Sequence, residues 1–354
     1  MTRAAILVEQ NWNAVPGGTA RATNDLICSL LAFTDIDVVG VQGTHLKKPT
    51  LSLPEGLVTK TIPVPGRALT EGWSRGERPM IGRWVETDVV HAPAYVLPAT
   101  AKPLVATIRD LAFVRFPEWF TQNGVAFFDR FLDRVIEQRL NVIVPSQITA
   151  DDCAVKGIAE DLIHVIPWGS DAKQAAPEQI AAVRTKYSLP EEFVLFVGTL
   201  EPRKNLDTLA EAMKALPDVA LVVAGPTGWG DVKMPEDAQI LGFVPEGEVE
   251  PLMAAATVLA YPSHFEGFGL PVLEAMAQGT PVVTTRRTAP AEILGKGGLA
   301  VETRLASVLA DAIGQLMGSR SDRRRMGMAG RERAATYQWE RTARQTAAVY
   351  ERLA

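Results

Sequence analysis

Short apolar runs alternate along the chain with longer stretches in which apolar residues recur at helical spacing. Runs of strand length lie at residues 4–8, 36–41, 58–64, 88–92, 104–108, 142–144, 163–166, 193–197, 219–224, 239–244, 258–261 and 281–285. Residues 125–136 carry a helical apolar stripe, residues 320–333 a basic helical run, and residues 339–353 an amphipathic helix. Strands that alternate with helices predict α/β units with parallel sheets.

The length of the chain favours two such domains. Its 354 residues exceed what one hydrophobic core usually supports. A polar stretch rich in proline and alanine, residues 167–190, predicts the linker between the domains. We therefore expect a first domain over residues 1–168 and a second over residues 169–338. Residues 47–83 are rich in proline, glycine and basic side chains, and only the strand at 58–64 is assigned there.

Composition and charge argue against several classes of protein. The 47% hydrophobic and 22% charged content is that of a globular protein, and a net charge of −5 does not favour nucleic acid as a partner. Cys28 and Cys153 stand far apart, so neither a disulfide framework nor a zinc site is expected. The run at 4–8 is too short for a signal peptide, and no run reaches the roughly 20 residues of a membrane span. We expect a cytoplasmic protein, with peripheral contact at the inner face of the membrane left open.

The stretch YPSHFEGFGLPVLEAMAQGTPVVTT, residues 261–285, joins a strand end, a glycine-bearing loop and a helix start. Pro271 suits a first helical turn, and Gly279 predicts the end of that helix. Gly267 and Gly269 allow the backbone to approach a ligand closely. Because the N–H groups and the dipole at a helix N-terminus attract negative charge, the pattern predicts an anion site at this loop.

Two carboxylates, Glu266 and Glu274, frame this loop with seven residues between them. A carboxylate repels a phosphate, so both are expected to accept hydrogen bonds from neutral hydroxyls. A ligand with phosphates and hydroxyls is a nucleotide-sugar. The alternative is a buried strand-helix turn in which Glu274 only supports the start of the helix.

The residues around this spacing, EGFGLPVLEAMAQGTPVV, resemble the donor-site signature of glycosyltransferase family 4, and GTLEPRKNL resembles the family's donor-phosphate loop. The resemblance covers nearly the whole chain. It implies the GT-B fold, an α/β architecture of two Rossmann-like domains that face each other across a cleft. The first domain would bind the acceptor and the second the nucleotide-sugar donor, while the C-terminal helix, residues 339–354, would pack back on the first domain.

The resemblance also implies roles for individual residues of the second domain. Glu266 would contact hydroxyls of the donor sugar, and Glu274 the ribose. Arg203 and Lys204 would neutralise the leaving diphosphate, although adjacent basic residues are often only a solvated corner. Further donor contacts would come from the amides of Gly267, Phe268, Gly269 and Leu270, from Gly198 in the phosphate loop, and from the backbone at Val244, which ends a strand beside the base.

Two features of the first domain bear on the same site. Gly17 and Gly18 precede a helix that Thr19 is expected to cap, and by resemblance this glycine loop lies over the diphosphate. An isolated glycine pair is otherwise an ordinary turn. Arg109 and Asp110 follow a strand where family members carry His-Asp. Three interpretations of Arg109 stay open: an ion pair with Asp110 or Glu266, a contact with the diphosphate, or a contact with a carboxylate on the donor sugar.

The function implied is retaining transfer of a hexose of mannose or glucose type from a nucleotide diphosphate sugar to an acceptor hydroxyl. The donor, GDP- or UDP-linked, is a substrate, and no cofactor or metal is expected. The acceptor would be a sugar, a glycolipid or another hydroxyl compound, in polysaccharide, glycolipid or glycoconjugate synthesis. Two alternatives are a catalytically silent sugar-nucleotide binder that partners another transferase and a nucleotide-sugar epimerase on the same fold.

Overall fold

A computed structural model describes residues 1–14, 17–76, 78–228, 232–235 and 237–354. The chain divides into two compact units. The first unit comprises Met1–Gly169 together with Gln338–Ala354, and the second comprises Ser170–Tyr337.

The first unit is built on a parallel sheet whose described part has seven strands. Its strands are β1 (Arg3–Leu7), β2 (Asp37–Thr44), β3 (Val58–Pro65), β4 (Val89–Ala92), β5 (Leu104–Thr107), β6 (Asn141–Val144) and β7 (Ile163–Val165). Their order is β3-β2-β1-β4-β5-β6-β7, and each neighbouring pair is parallel. The order reverses between β1 and β4, so the loops after these strands meet at one edge of the sheet.

Helices cover both faces of this sheet. They are α1 (Gly17–Phe33), α2 (Gly66–Ser74), α3 (Ala112–Arg115), α4 (Gln122–Glu137), α5 (Gln147–Val155) and, from the end of the chain, α13 (Trp339–Leu353). One core contains apolar side chains of α1 and α13, and the other contains those of α2, α4 and α5. Leu26, Ile27 and Leu30 of α1 are buried as their spacing predicts, whereas Leu31 is exposed.

The helix α13 is held to the sheet by a polar contact as well as by its apolar face. The hydroxyl of Tyr350 lies 2.5 Å from Nδ1 of His91, and Nε2 of His91 lies 2.7 Å from the hydroxyl of Thr107. Burial, together with the charge of Arg109, lowers the pKa of His91 to about 3. The imidazole is therefore neutral and acts as a buried structural link between α13 and the sheet.

The second unit repeats the architecture with a parallel sheet of six strands in its described part. The strands are β8 (Phe193–Val197), β9 (Ala220–Ala224), β10 (Gln239–Gly242), β11 (Val258–Tyr261), β12 (Val282–Thr285) and β13 (Gly298–Val301). The helices are α6 (Pro177–Lys186), α7 (Leu206–Lys214), α8 (Glu246–Ala255), α9 (Leu270–Gln278), α10 (Ala289–Leu294), α11 (Ala306–Gly318) and α12 (Arg320–Ala334). The strand order is β10-β9-β8-β11-β12-β13, so it reverses between β8 and β11.

The strands predicted from apolar runs are confirmed, with ends that differ by a few residues. The helices over 320–333 and 339–353 and the end of α9 at Gly279 are confirmed as well. Continuous apolar runs predict parallel strands well because both faces of such strands are covered.

Two local expectations, the cap of α1 and the linker, were wrong, and two elements, α2 and β13, were not predicted. Thr19 does not cap α1, because that helix begins at Gly17; the preceding Pro16 lies outside the described residues. The expected linker contains α6, and the unassigned section 47–83 contains α2. The strand β13 was missed because Gly298 interrupts its apolar pattern: a Cβ there would lie 1.9 Å from the carbonyl oxygen of Val282, so only glycine fits between the strands.

Candidate active site

The loops that follow β8 and β11 meet at the point where the strand order of the second unit reverses. The N–H of His264 donates to the carbonyl of Arg203 at 2.9 Å. The side-chain amide of Asn205 donates to the carbonyls of Pro262 and Thr303 at 3.1 and 3.0 Å. The carboxyl ends of the strands at such a reversal are where open α/β sheets bind ligands.

A buried ion pair joins the two loops. Nζ of Lys204 lies 2.6 Å from Oε1 of Glu266, and both residues are 7% exposed. The hydroxyl of Tyr261 donates to the same carboxylate oxygen at 3.0 Å and accepts from Lys204 at 3.2 Å. Lysine, glutamate and tyrosine therefore form a closed triangle in which each charged group has a partner of opposite charge.

Arg203 lies at the more open side of this triangle. Its Nη1 is 3.4 Å from Oε2 of Glu266, while Nε and Nη2 lie 3.0 and 2.9 Å from Oε1 of Glu201. Glu201 is 3% exposed, whereas the side chain of Arg203 is 22% exposed. The guanidinium is thus held from behind by Glu201 and has a face that reaches solvent.

Burial and charge act in opposite directions on these groups. Burial by itself would raise the pKa of Glu266, but the charges of Lys204 and Arg203 outweigh it and lower that pKa to about 2. Burial lowers the pKa of Lys204, and the carboxylates of Glu266 and Glu201 oppose this shift. Burial, then the negative charge of Glu266, raises the pKa of Tyr261 well above its ordinary value. We conclude that Glu266 is a carboxylate and that Tyr261 is a neutral donor.

The helix α9 begins four residues after Glu266. Gly269 precedes it with a φ of +110°, and a Cβ there would lie 2.8 Å from Cγ of Pro290, so a side chain is excluded twice over. Pro271 lies in the first turn, as predicted. Glu274 lies further into the helix and is 4% exposed. The structure therefore contains the strand, glycine loop and helix start that the sequence predicts.

The other predicted donor residues of this unit are distributed around the same sheet edge. Gly198 directly follows β8 and lies close to the side chain of Lys204. Gly267 and Phe268 are buried in the loop before α9, and Leu270 is its first residue. Val244 is buried but lies beyond its strand, because β10 ends at Gly242, whose φ is +68°. The predicted extension of that strand to Val244 was wrong.

The predicted residues of the first unit form a separate group at the edge of its own sheet. Arg109 is 7% exposed and follows β5. Its guanidinium donates to the carbonyls of Pro93, Gly18 and Thr19 and to the hydroxyl of Thr23, at 2.8 to 3.2 Å. Burial lowers its pKa to about 10. Arg109 therefore ties the loop after β4 to the first turn of α1, where Gly17 and Gly18 lie.

These contacts correct the expected ion pair of Arg109. Among the described residues its hydrogen-bond acceptors are carbonyl and hydroxyl oxygens, and Asp110 acts on it only as a nearby negative charge. Asp110 instead accepts from the N–H of Ala112 at 2.9 Å, and its carbonyl accepts from the hydroxyl of Tyr95 at 2.8 Å. Glu266, the other proposed partner, is paired with Lys204 and Arg203 inside its own unit.

Three residues of the candidate site were not identified from the sequence. Glu201 and Asn205 flank the predicted pair of basic residues, and Tyr261 ends β11. The only feature of the sequence that could have identified them is that each is a polar residue close to a predicted site residue. The burial and the partners of these three residues follow from the pairing of β8 with β11, which the sequence does not state.

Two further observations concern metals and membranes. Across the described ranges, no group of three or more His, Cys, Asp and Glu side chains is placed to hold a metal ion. Within the same ranges, no helix is both long and apolar enough to cross a membrane.

Comparison with known proteins places this chain in a family. A family model described as "Glycosyl transferases group 1" matches residues 181–333. The MMP alpha-(1->4)-mannosyltransferase of Mycolicibacterium hassiacum is 30% identical over 336 residues, 86% of this chain and 80% of that protein. The O-antigen chain mannosyltransferase B of Escherichia coli is 28% identical over 283 residues, 75% of this chain and 74% of that protein.

Solved structures agree on the fold. The crystal structure of Anabaena HepE in complex with UDP and glucose has a TM-score of 0.76 and 18% identity, and the match covers 100% of both chains. This likeness confirms the expected GT-B class, with two α/β domains built on parallel sheets. The narrower assignment to family 4 and the roles of individual residues stay predictions. The match over residues 181–333 and the relative aligned along 86% of the chain show that this protein belongs to the glycosyl transferases group 1 family.

Proposed function

We propose that this enzyme transfers a hexose from a nucleotide diphosphate sugar to an acceptor hydroxyl, with retention at the anomeric carbon and without a metal ion. The second unit would bind the donor and the first unit the acceptor. The observation that carries the proposal is the cluster of Arg203, Lys204 and Glu266 at the strand-order reversal between β8 and β11.

The cluster supplies what departure of a diphosphate requires. When the bond between the anomeric carbon and the diphosphate breaks, negative charge develops on the leaving oxygen. Arg203 has a solvent-reaching guanidinium held by Glu201, and Lys204 is an ammonium held by Glu266. Cations that are fixed before the reaction stabilise developing charge without reorganisation, which is usually the largest catalytic contribution. The start of α9, with Gly267, Phe268, Gly269 and Leu270, would add backbone donors.

The proposed step forms one bond and breaks one bond on the same face of the sugar. The acceptor oxygen bonds to the anomeric carbon as the diphosphate leaves, and the proton of the acceptor hydroxyl passes to the departing diphosphate oxygen. Glu266 would accept hydrogen bonds from sugar hydroxyls and keep Lys204 in place. Glu274 would accept from the ribose, Gly198 would allow close approach of phosphate, and the backbone at Val244 would meet the base.

The hexose is proposed to be of mannose or glucose type. Mannosyl transfer is suggested by the names of the two relatives, and glucose with UDP by the ligands of the Anabaena structure. The donor is therefore proposed to be GDP-mannose or a UDP-hexose, and the product a polysaccharide, glycolipid or glycoconjugate. The contact of Gly17 and Gly18 with the diphosphate stays a prediction.

The test replaces both cations with alanine in the full chain. Loss of one fixed donor to a developing oxyanion costs about 3 kcal/mol, so R203A/K204A should have almost no transfer activity and weakened binding of UDP and GDP. The matched control is K214A/R325A, since Lys214 and Arg325 are exposed cations of the same unit. Binding is measured by titration calorimetry, and the anomeric configuration of the product by proton NMR coupling.

Each outcome separates the proposal from its alternatives. A folded R203A/K204A variant with unchanged nucleotide affinity would refute the assignment of the diphosphate site. A wild-type protein that binds nucleotide-sugars but neither hydrolyses nor transfers them would be the silent binder. Interconversion of two nucleotide-sugars without acceptor would identify the epimerase, and an inverted product would refute retention.

A further inference from the structure

A cavity of about 620 Å³ lies in the first unit, apart from the cluster described above. It opens at the carboxyl ends of β1, β2 and β3, because Glu9 and Gln10 follow β1, His45 follows β2, and Gly66 follows β3. The helix α4 contributes Arg130 to the opposite wall. This edge of a parallel sheet is the usual position of a ligand.

One wall of the cavity is formed by Glu9, His45 and Trp12, which contact one another. Nε2 of His45 lies 3.2 and 3.1 Å from the two carboxylate oxygens of Glu9, and the N–H of Gly43 donates to the same carboxylate. The ring of Trp12 stacks on the ring of His45, with centroids 4.1 Å apart and planes inclined by 10°. With Nε2 engaged by Glu9, Nδ1 of His45 has no hydrogen-bond partner among the described residues. A stacked aromatic surface beside a carboxylate and a ring nitrogen suits the hydroxyls and C–H faces of a sugar.

A second observation is a polar atom without a partner. Gln10 lines the cavity and is 4% exposed, and its amide nitrogen donates to the carbonyl of Leu7 at 3.1 Å. Its Oε1 is buried and accepts no hydrogen bond from any described residue. A buried acceptor without a donor is costly, and a hydroxyl donor bound in the cavity would remove that cost after a small rotation of the side chain.

The charges of the cavity do not cancel. Arg75 is paired with Glu71 at 2.7 Å, so these two charges cancel. The remaining charged side chains of the lining are Glu9, whose carboxylate contacts His45 and Gly43, and the exposed Arg67 and Arg130. Neither arginine has a carboxylate partner within the described part of the chain, so positive charge exceeds negative charge by one. Two unpaired guanidinium groups on one cavity attract an anion, and their planar forks match phosphate and carboxylate oxygens.

We propose that this cavity binds an anionic sugar, that is, a sugar bearing a phosphate or carboxylate group, as the glycosyl acceptor. The inference rests on the proposed function and specifies the chemical class of its acceptor. Arg67 and Arg130 bind the anionic group, while Glu9, Gln10 and His45 bind hydroxyls beside the Trp12 ring. A neutral sugar would use the second set of contacts alone.

The experiment measures binding of glucose 6-phosphate, glucuronate, glucose and inorganic phosphate to the full chain by ligand-observed NMR, with and without UDP and GDP. The variant R67Q/R130Q removes both charges. K60Q/K102Q is the matched control, since Lys60 and Lys102 are exposed on the same unit and outside the cavity. Affinity of each variant for UDP and GDP is measured on the same samples.

Wild type should bind one of the two anionic sugars roughly tenfold or more tightly than glucose, since one hydrogen bond to a charged group contributes that much. R67Q/R130Q should lose this preference, K60Q/K102Q should keep it, and nucleotide affinity should be unchanged in both. Glucose 6-phosphate alone would identify a phosphate site, and glucuronate alone a carboxylate site.

Equal binding of charged and neutral sugars, no binding of any probe, or a preference that survives in R67Q/R130Q would overturn the inference. Inorganic phosphate that binds as tightly as glucose 6-phosphate would overturn its sugar component. The proposed function fails separately, by absence of UDP and GDP binding or of transfer, whichever sugar the cavity prefers.

Discussion

The ammonium of Lys204 lies 2.6 Å from the carboxylate of Glu266, and this buried pair joins two loops that are 62 residues apart in the chain. Without Glu266, Lys204 would lose its closest counter-charge in a nearly dry environment, and without Lys204, Glu266 would keep only Arg203 at 3.4 Å. Together they form a neutral unit that carries one cation and one hydrogen-bond acceptor to the same sheet edge. The proposed function therefore couples stability and activity at this pair.

The first prediction concerns stability. E266Q and K204M should each lower the free energy of unfolding by about 3 kcal/mol, because removing one partner of a buried pair deprives the other of its closest counter-charge. The double variant K204M/E266Q should lose less than the sum of the two single losses. Urea unfolding followed by circular dichroism measures all three values. Losses that simply add would show that the two side chains are not energetically coupled.

The second prediction separates the two glutamates. E274Q should weaken binding of UDP or GDP by roughly tenfold, because the proposed role of Glu274 is to accept a hydrogen bond from the ribose. E266Q should reduce turnover more than it reduces nucleotide affinity, since Glu266 is proposed to contact hydroxyls of the donor sugar. Calorimetric titrations and initial rates provide the comparison, with E211Q on the exposed face of α7 as the control. Equal losses of nucleotide affinity in E266Q and E274Q would contradict the division of roles.

The third prediction concerns Arg109. R109H should lower the free energy of unfolding by about 2 kcal/mol, since the buried carbonyl of Pro93 loses its donors, yet it should retain transfer from a neutral-hexose donor. R109K should be destabilised similarly, because an ammonium does not reproduce the fork of the guanidinium. If R109K retains transfer activity and R109H does not, the positive charge itself is required.

The fourth prediction concerns pH. The pKa of His91 is lowered to about 3 in the folded protein, so between its ordinary value near 6.5 and pH 3 only the unfolded chain takes up this proton. Stability due to neutral His91 should therefore fall as the pH decreases below 6.5, by about 1.4 kcal/mol per pH unit. H91Q should reduce this slope in urea unfolding experiments between pH 6.5 and 5.

The range from pH 6.5 to 5 is chosen because Glu266 titrates at lower pH, whereas two other histidines contribute a slope of the same sign within it. The pKa of Glu266 is lowered to about 2, so its contribution is present above its ordinary value near 4.5 and is lost only as the pH falls from there towards 2. Burial also lowers the pKa values of His164 and His264, which add to the wild-type slope. The difference between wild type and H91Q isolates His91, and identical slopes would refute its role.

The fifth prediction concerns metal ions. Since Arg203 and Lys204 are proposed to carry out charge neutralisation, dialysis against EDTA should leave the rate of transfer unchanged. Addition of Mg²⁺ or Mn²⁺ afterwards should not increase it. A rate that falls with EDTA and returns with either ion would show that a metal takes part.

The sequence predicted the strands of both sheets except β13, and the strand, glycine loop and helix start around Gly269, because buried parallel strands are continuous apolar runs and because Pro271 and Gly279 mark the two ends of a helix. It did not predict the contact of Lys204 with Glu266. That contact depends on β11 lying next to β8, and strand order follows from the packing of the whole unit rather than from any local pattern.

Arg109 shows a second limit of sequence-based prediction. A guanidinium after a strand is expected to find a carboxylate, and Asp110 is its neighbour in the chain. In the structure the carbonyl of Pro93, after β4, and those of Gly18 and Thr19, in the first turn of α1, converge on the same position. These acceptors come together only when the ends of β4 and β5 meet the start of α1, so they leave no signal in the sequence.

The packing of α13 on the sheet of the first unit has a consequence for biosynthesis. Tyr350 and Trp339 belong to the same core as Ile27 and Val89, so a nascent chain cannot complete that core until α13 has left the ribosome. The second unit is one continuous segment, Ser170–Tyr337, so it is synthesised in full before α13. The first unit, whose synthesis begins first, should thus finish folding last. A truncation before α13 should leave the first unit with an exposed apolar face and the second unit intact.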